Sequence, residues 1–175
     1  RAIDWQIQYR RHPAVVWDRT SKPVAAAAEA FLAGLLAGSP GGLTLVALGP
    51  LTNIARLLSG HPDAASRIRR IVLAGGSLNA EAPAEPNIAD DVDAARLVFD
   101  SGLPLVVAPQ EVMSDVEIDA ARRSGLFGAC TRLTYQVQAL YELWDKPALP
   151  LASAAAAALA IDESLFRMDD LKLDV

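Results

Sequence analysis

Leu43-Thr-Leu-Val-Ala-Leu-Gly-Pro-Leu-Thr-Asn-Ile-Ala55 is the stretch that decides the fold. Its opening, Leu43 to Leu48, is a short apolar run bounded by Gly and Pro, which predicts a buried strand of a parallel sheet. Gly49-Pro-Leu-Thr-Asn53 is then the loop leaving the strand, with Thr52 or Asn53 placed to cap a helix running to about Leu58. Capping is the favoured local reading of those two residues; contact with a ligand is the alternative. Gly60-His-Pro62 breaks the helix, and the pattern repeats. Arg70 to Ala74 reads as the next strand, Val92 to Gly102 as a helix and Leu103 to Ala108 as a third strand. In that helix Ala95, Val98 and Phe99 share one face. The β-α-β-α-β alternation implies parallel strands joined by right-handed crossovers.

Outward from this core, Pro23 to Ala37 predicts a helix with proline in its first turn and Gly38 beyond its end. Asp115 to Arg123, Leu126 to Leu143 and Pro150 to Asp162 read as further helices, the last one small-residued and buried on most sides. Leu171 to Val175 alternates like a strand that is entered and not left. Arg1 to Lys22 has aromatics and charges without a period and reads as an irregular segment. The expected architecture is α/β, an open, mainly parallel sheet flanked by helices with a Rossmann-like core, incomplete at both ends. The expected organisation is one partial domain over 1–175, with 1–22 irregular and 23–175 forming the α/β core.

Composition bounds the function. The chain has 175 residues, 52% hydrophobic and 21% charged, enough for a real core and far from a disordered composition. A formal net charge of −5 argues against a nucleic-acid partner, which calls for a clustered basic face. Cys130 is the only cysteine, which excludes an intrachain disulfide and a cysteine-only metal site and suits a reduced, cytoplasmic compartment. The longest apolar stretches, Pro23 to Gly38 and Pro150 to Ile161, fall short of the roughly 18–20 residues of a membrane span. Abundant alanine, and arginine in excess of lysine, hint at a GC-rich bacterial gene.

Gly75 to Asp91 is a long polar loop, a length usually functional or disordered. It carries Asn79, Glu85 and Asn87. Two apart in an extended segment, Glu85 and Asn87 point the same way. A carboxylate beside a carboxamide suits vicinal hydroxyls, since glutamate accepts while asparagine both donates and accepts. Asn79 could close on the same polyol from the other end of the loop. On pattern alone, turn-capping residues facing water are the commoner outcome. Asp90, Asp91 and Asp93 read as charge at a helix N-terminus rather than as a metal site. His61 reads as an exposed helix-end residue, and His12 has no partner nearby in sequence. There is no phosphate loop, dinucleotide fingerprint or Gly-x-Ser-x-Gly elbow.

Taken together, Gly49-Pro-Leu-Thr-Asn53, the Asn79, Glu85, Asn87 spacing and the run Asn87-Ile88…Asp91…Ala94-Ala95 resemble the inosine-uridine-preferring nucleoside hydrolases, over about Val24 to Phe166. The resemblance implies hydrolysis of the N-glycosidic bond of ribonucleosides, assisted by calcium. It gives Thr52 the role of offering a backbone carbonyl to the metal, and Asn79, Glu85 and Asn87 the role of holding ribose hydroxyls. The expected partner is a small nucleoside or ribose, with no nucleic acid and no membrane, and a homo-oligomer is compatible with the sequence.

The chain also departs from the family's pattern. The aspartate-rich strand end that binds calcium and activates water has no match in Arg1 to Lys22, where Asp4 and Asp18 are isolated. It is expected upstream of Arg1, in a longer protein of which this chain is a fragment. The late His-Asp pair falls on Ala152-Ser153; Trp144-Asp145 lies too early to replace it. Ala74 stands for the family's Met, and Pro86 for its Phe. The 175 residues alone are therefore expected to show no turnover, and a catalytically impaired ribose-binding or interaction module is the alternative to a hydrolase.

Overall fold

The computed structural model describes residues 25–144, 149–150, 152–173 and 175. The irregular segment 1–22, Asp4, Asp18 and Asp145 lie outside the described residues. In chain order the elements are α1 (Ala28–Ala37), β1 (Leu43–Ala47), α2 (Thr52–Gly60), α3 (Pro62–Ala65), β2 (Ile68–Ala74), α4 (Pro86–Ala89), α5 (Val92–Phe99), β3 (Leu105–Ala108), α6 (Gln110–Asp115), β4 (Glu117–Ile118), α7 (Ala120–Gly128), α8 (Arg132–Trp144), β5 (Leu149–Pro150) and α9 (Ala152–Ile161), then a 3-10 turn, Glu163–Leu165. They divide into two compact units. One holds the described residues of 25–116 and 151–175; the other holds 117–144 and 149–150.

In the larger unit β1, β2 and β3 form a parallel sheet in that order, with Ala47 opposite Leu73 and Ala74 opposite Ala108. β2 is buried on both faces, which is why its apolar residues do not alternate with polar ones. Ile71 and Leu73 join a cluster with Leu36 of α1, Leu57 of α2 and Val98 of α5. Val72 and Ala74 pack with Ala108, Met113 of α6 and Ala156 and Leu159 of α9. Helices thus cover both faces of the sheet, as the apolar runs predict.

β1 is a correction to its sequence reading. Leu45 is buried, but Val46 is 41% exposed and Leu48 47% exposed. Helix cover on the second face centres on β2, so β1 is buried from one side only. α9 likewise buries one face, through Ala155, Ala156 and Leu159, while Ser153 and Ala154 are exposed and Ile161 is 87% exposed. An alanine-rich helix has no polar stripe from which sequence could say how much of it is covered.

Other boundaries moved for local reasons. The first helix begins at Ala28, five residues after Pro23. The helix expected over 115–123 resolves into α6, the short strand β4 and α7, because Asp119 Oδ1 accepts from Arg122 N at 2.8 Å and starts a new helix there. The one expected over 126–143 is split by Cys130 at φ 50°, and α8 restarts where Thr131 and Thr134 cap each other, Thr131 N to Thr134 Oγ1 at 2.9 Å and Thr134 N to Thr131 Oγ1 at 3.1 Å. Residues 171–173 form no strand. In the smaller unit β4 and β5 pair antiparallel, and Arg123 stacks over the Tyr141 ring at 4.3 Å between α7 and α8.

Candidate functional site

Because β1, β2 and β3 are parallel, the segments that follow them all leave from the same edge of the sheet, the carboxyl edge where open α/β sheets bind ligands. Main-chain bonds tie these segments together. Gly75 N donates to Ala108 O at 3.0 Å, and Gln110 N, opening α6, donates to Gly76 O at 2.8 Å.

Glu85 and Asn87 meet at the end of β2, though not as an extended pair. Glu85 is the N-cap of α4, and its Oε2 accepts from Ile88 N and from Gly76 N, each at 3.2 Å. Pro86 at the first helical position sets this turn, since its ring fixes φ and it has no N–H to satisfy. Asn87 Nδ2 donates to Ala74 O at 2.9 Å. Both side chains are thus folded back onto the last residues of β2. Glu85 is only 8% exposed, and among the described residues its Oε1 and the Asn87 Oδ1 carry no hydrogen bond. A buried polar oxygen left in this state calls for a partner.

Asn79 is exposed, and its Oδ1 accepts from Glu81 N at 3.0 Å, an Asx turn. Its backbone is held by Ser77, whose Oγ accepts from Asn79 N at 3.0 Å, and by Glu111 of α6. One carboxylate there accepts from Ser77 Oγ at 2.6 Å, from Leu78 N at 3.1 Å and from Asn79 N at 3.3 Å. These donors, the Ser77 hydroxyl first, bring the Glu111 carboxyl down to about 2.

Thr52 does not cap α2 with its side chain. The N-cap is Leu51, and the Thr52 hydroxyl donates instead to Asp91 Oδ2. Asp91 Oδ1 accepts from Ala94 N at 3.1 Å, so this aspartate caps α5 and ties it to the loop after β1. The Thr52 hydroxyl, and then the Ala94 amide, hold the Asp91 carboxyl below the usual carboxylate range. Asn53 is exposed, and His61 terminates α2.

Arg70, near the start of β2, donates Nη2 to Ala160 O at 3.0 Å near the end of α9, while Ala156 packs with Met113 of α6 beyond β3. α9 therefore runs back along the sheet, with Ala152 and Ser153 at its carboxyl-edge end. Thr52, Glu85, Asn87 and Asn79 all belong to segments on that same edge.

Asp91 stands at the helix N-terminus where the sequence puts its charge, but its tie to Thr52, and the role of Glu111, are not evident in the sequence pattern. Glu111 did carry one signal. It lies two residues after Pro109, just past a strand end, where a carboxylate meets the neighbouring strand's loop.

The sequence model described as inosine-uridine preferring nucleoside hydrolase matches residues 10–175. The non-specific ribonucleoside hydrolase RihC of Salmonella newport (strain SL254) is 47% identical over 98 residues, which take in 54% of this chain and 32% of that protein. Among solved structures, a purine-preferring ribonucleoside hydrolase from Gardnerella vaginalis superposes with a TM-score of 0.70 at 27% identity, over 86% of this chain and 52% of that one. A plant nucleoside hydrolase, PpNRh1, gives 0.69 at 27% identity over 84% of this chain and 50% of that one. The chain thus spans about half the length of these structures and a smaller share of the curated relative.

Proposed function

Since the chain belongs to the inosine-uridine preferring nucleoside hydrolase family, we propose that its chemistry is hydrolysis of the N-glycosidic bond of ribonucleosides, giving ribose and the free base. The observation that carries this reading is Glu85, a carboxylate buried at the carboxyl edge of the sheet with one oxygen anchored and the other without a partner among the described residues. A ribose hydroxyl donating to Oε1 would satisfy it, and a second hydroxyl could donate to Asn87 Oδ1. Asn79, exposed at the rim of the same edge, would close over the sugar.

The bond breaks through a transition state resembling an oxocarbenium ion, with positive charge growing on the sugar ring. Glu85 contributes by fixing the ring and by placing negative charge beside it. Such positioning supplies up to several kcal/mol when the bound geometry is near that of reaction.

The calcium implied by the resemblance would take the Thr52 carbonyl as one ligand. Calcium binds six to eight oxygens. Among the described residues no three His, Cys, Asp or Glu stand together to hold a metal. The described residues alone do not fit the ion.

A second reading is a nucleoside- or ribose-binding module without turnover. It is favoured by Ala152-Ser153, which stand at the amino end of α9 in the place of a His-Asp pair. One experiment separates the two. Inosine and uridine are offered to the chain, with ribose release measured as reducing sugar and binding measured by calorimetry. Release that drops in Glu85→Gln supports the hydrolase; binding that drops in Glu85→Gln with no release supports the module as the role of these 175 residues. No binding of either nucleoside refutes the ribose site.

A further inference from the structure

We propose that Glu111 is a positioning residue of the sugar site, acting through Asn79. This rests on the ribose reading above.

Glu111 is in the first turn of α6, yet its carboxylate is spent on a different segment, more than 30 residues earlier in the chain. Three consecutive residues, Ser77, Leu78 and Asn79, each direct one donor to it. Gln110 N to Gly76 O, at 2.8 Å, adds a fourth tie from the same turn. The start of α6 therefore grips the loop from Gly76 to Asn79. Asn79 itself is exposed, and its side chain has only the bond from Glu81 N, so the grip on its backbone, from Glu111 directly and from the Ser77 hydroxyl that Glu111 holds, sets where its amide group stands. Glu85 and Asn87 are held by Gly76 N, Ile88 N and Ala74 O, none of which bonds the Glu111 carboxylate. Loss of Glu111 should thus displace one sugar ligand and spare the other two.

That selectivity is measurable. Uridine affinity is determined by calorimetry for the wild-type chain, for Glu111→Ala, Asn79→Ala and Asn87→Ala, and for the two double variants containing Glu111→Ala. Amide exchange at Leu78 and Asn79 is followed in parallel. Glu111→Ala should weaken uridine binding about tenfold, add nothing further in the Asn79→Ala background, and add in full in the Asn87→Ala background. Exchange at Leu78 and Asn79 should accelerate. Glu111→Gln, which keeps one acceptor oxygen, should recover part of the affinity. A merely structural Glu111 would weaken binding additively in both backgrounds, which overturns the inference. Unchanged affinity in Glu111→Ala overturns it as well. A wild-type chain that binds no uridine overturns the sugar reading itself, and the positioning role with it; wild-type binding combined with additive losses refutes only the positioning role.

Discussion

Gly75 and Gly76 are neighbours with different reasons to be glycine, and a pair of alanine substitutions separates them. A Cβ built on Gly75 would lie 2.9 Å from Glu85 Oε2 and 3.5 Å from the Asn87 Cβ. To reach ordinary van der Waals contact the carboxylate must retreat by about half an ångström. Its bonds to Gly76 N and Ile88 N already measure 3.2 Å, so that retreat takes both beyond hydrogen-bonding range. Losing the α4 cap and the second amide costs about 2 kcal/mol. Alanine at the Gly75 φ of 155° adds about 2 kcal/mol of backbone strain. Gly76 has φ 77° and nothing within 4 Å of a built Cβ, so Gly76→Ala costs only about 1 kcal/mol of left-handed strain. Urea unfolding of the two variants should therefore differ by about 3 kcal/mol. Gly75→Ala should also lose uridine binding, which Gly76→Ala retains. Equal stabilities for the two variants would refute the claim that the Glu85 carboxylate fills the space above Gly75, whatever the ligand proves to be.

Glu111, held at about 2, contributes stability that is fully present above its ordinary 4.5 and is lost as the pH falls towards 2. Urea midpoints taken from about pH 5 down to about pH 2.5 should fall less steeply in Glu111→Gln than in the wild type. Thr52→Val removes the largest influence lowering the Asp91 carboxyl, so its titration, followed by NMR, should move up toward the ordinary carboxylate range; an unmoved titration would refute the Thr52 to Asp91 bond. Arg70 pairs with Glu163 and also donates to Ala160 O at the end of α9. Glu163→Gln should cost less than about 1 kcal/mol, because the pair is partly solvated. Arg70→Ala should cost about 1–2 kcal/mol, because it also uncovers a helix-end carbonyl. Thermal unfolding distinguishes the two.

The sheet was legible where an apolar run met a turn signal. β2 and β3, each ending against Gly or Pro, were placed to within two residues, and the parallel alternation followed from the helices between them. Legibility failed where chemistry is local to a side chain. Nothing in the periodicity of 110–131 marks the breaks at Asp119 and Cys130, since both come from single capping or backbone geometries. β1 failed for another reason. A run of apolar residues reports that burial is available, not that a helix lies on both faces, and Val46 is exposed because the cover centres on β2.

The site divides along the same line. Spacing pointed to Asn79, Glu85 and Asn87, but its reason for pairing Glu85 with Asn87, an extended segment, does not hold. Pro86 turns the chain into α4, and what unites the two side chains is the end of β2: Glu85 on Gly76 N, Asn87 on Ala74 O. The ties made by Asp91 and Glu111 cross 39 and 34 residues of chain to reach Thr52 and Ser77. No window of sequence contains both ends of such a bond, and each pair becomes recognisable only once parallel strands deliver their loops to one edge. A carboxylate just past a strand end, in a sheet already known to be parallel, is therefore better read as a brace for the neighbouring loop than as surface charge. On that rule Glu111 holds the loop after β2; Asp91, the cap of α5, ties the loop after β1, and of these three carboxylates only Glu85 keeps an oxygen that no described residue claims. The difference between bracing and binding here lies in which acceptor atoms the fold leaves over.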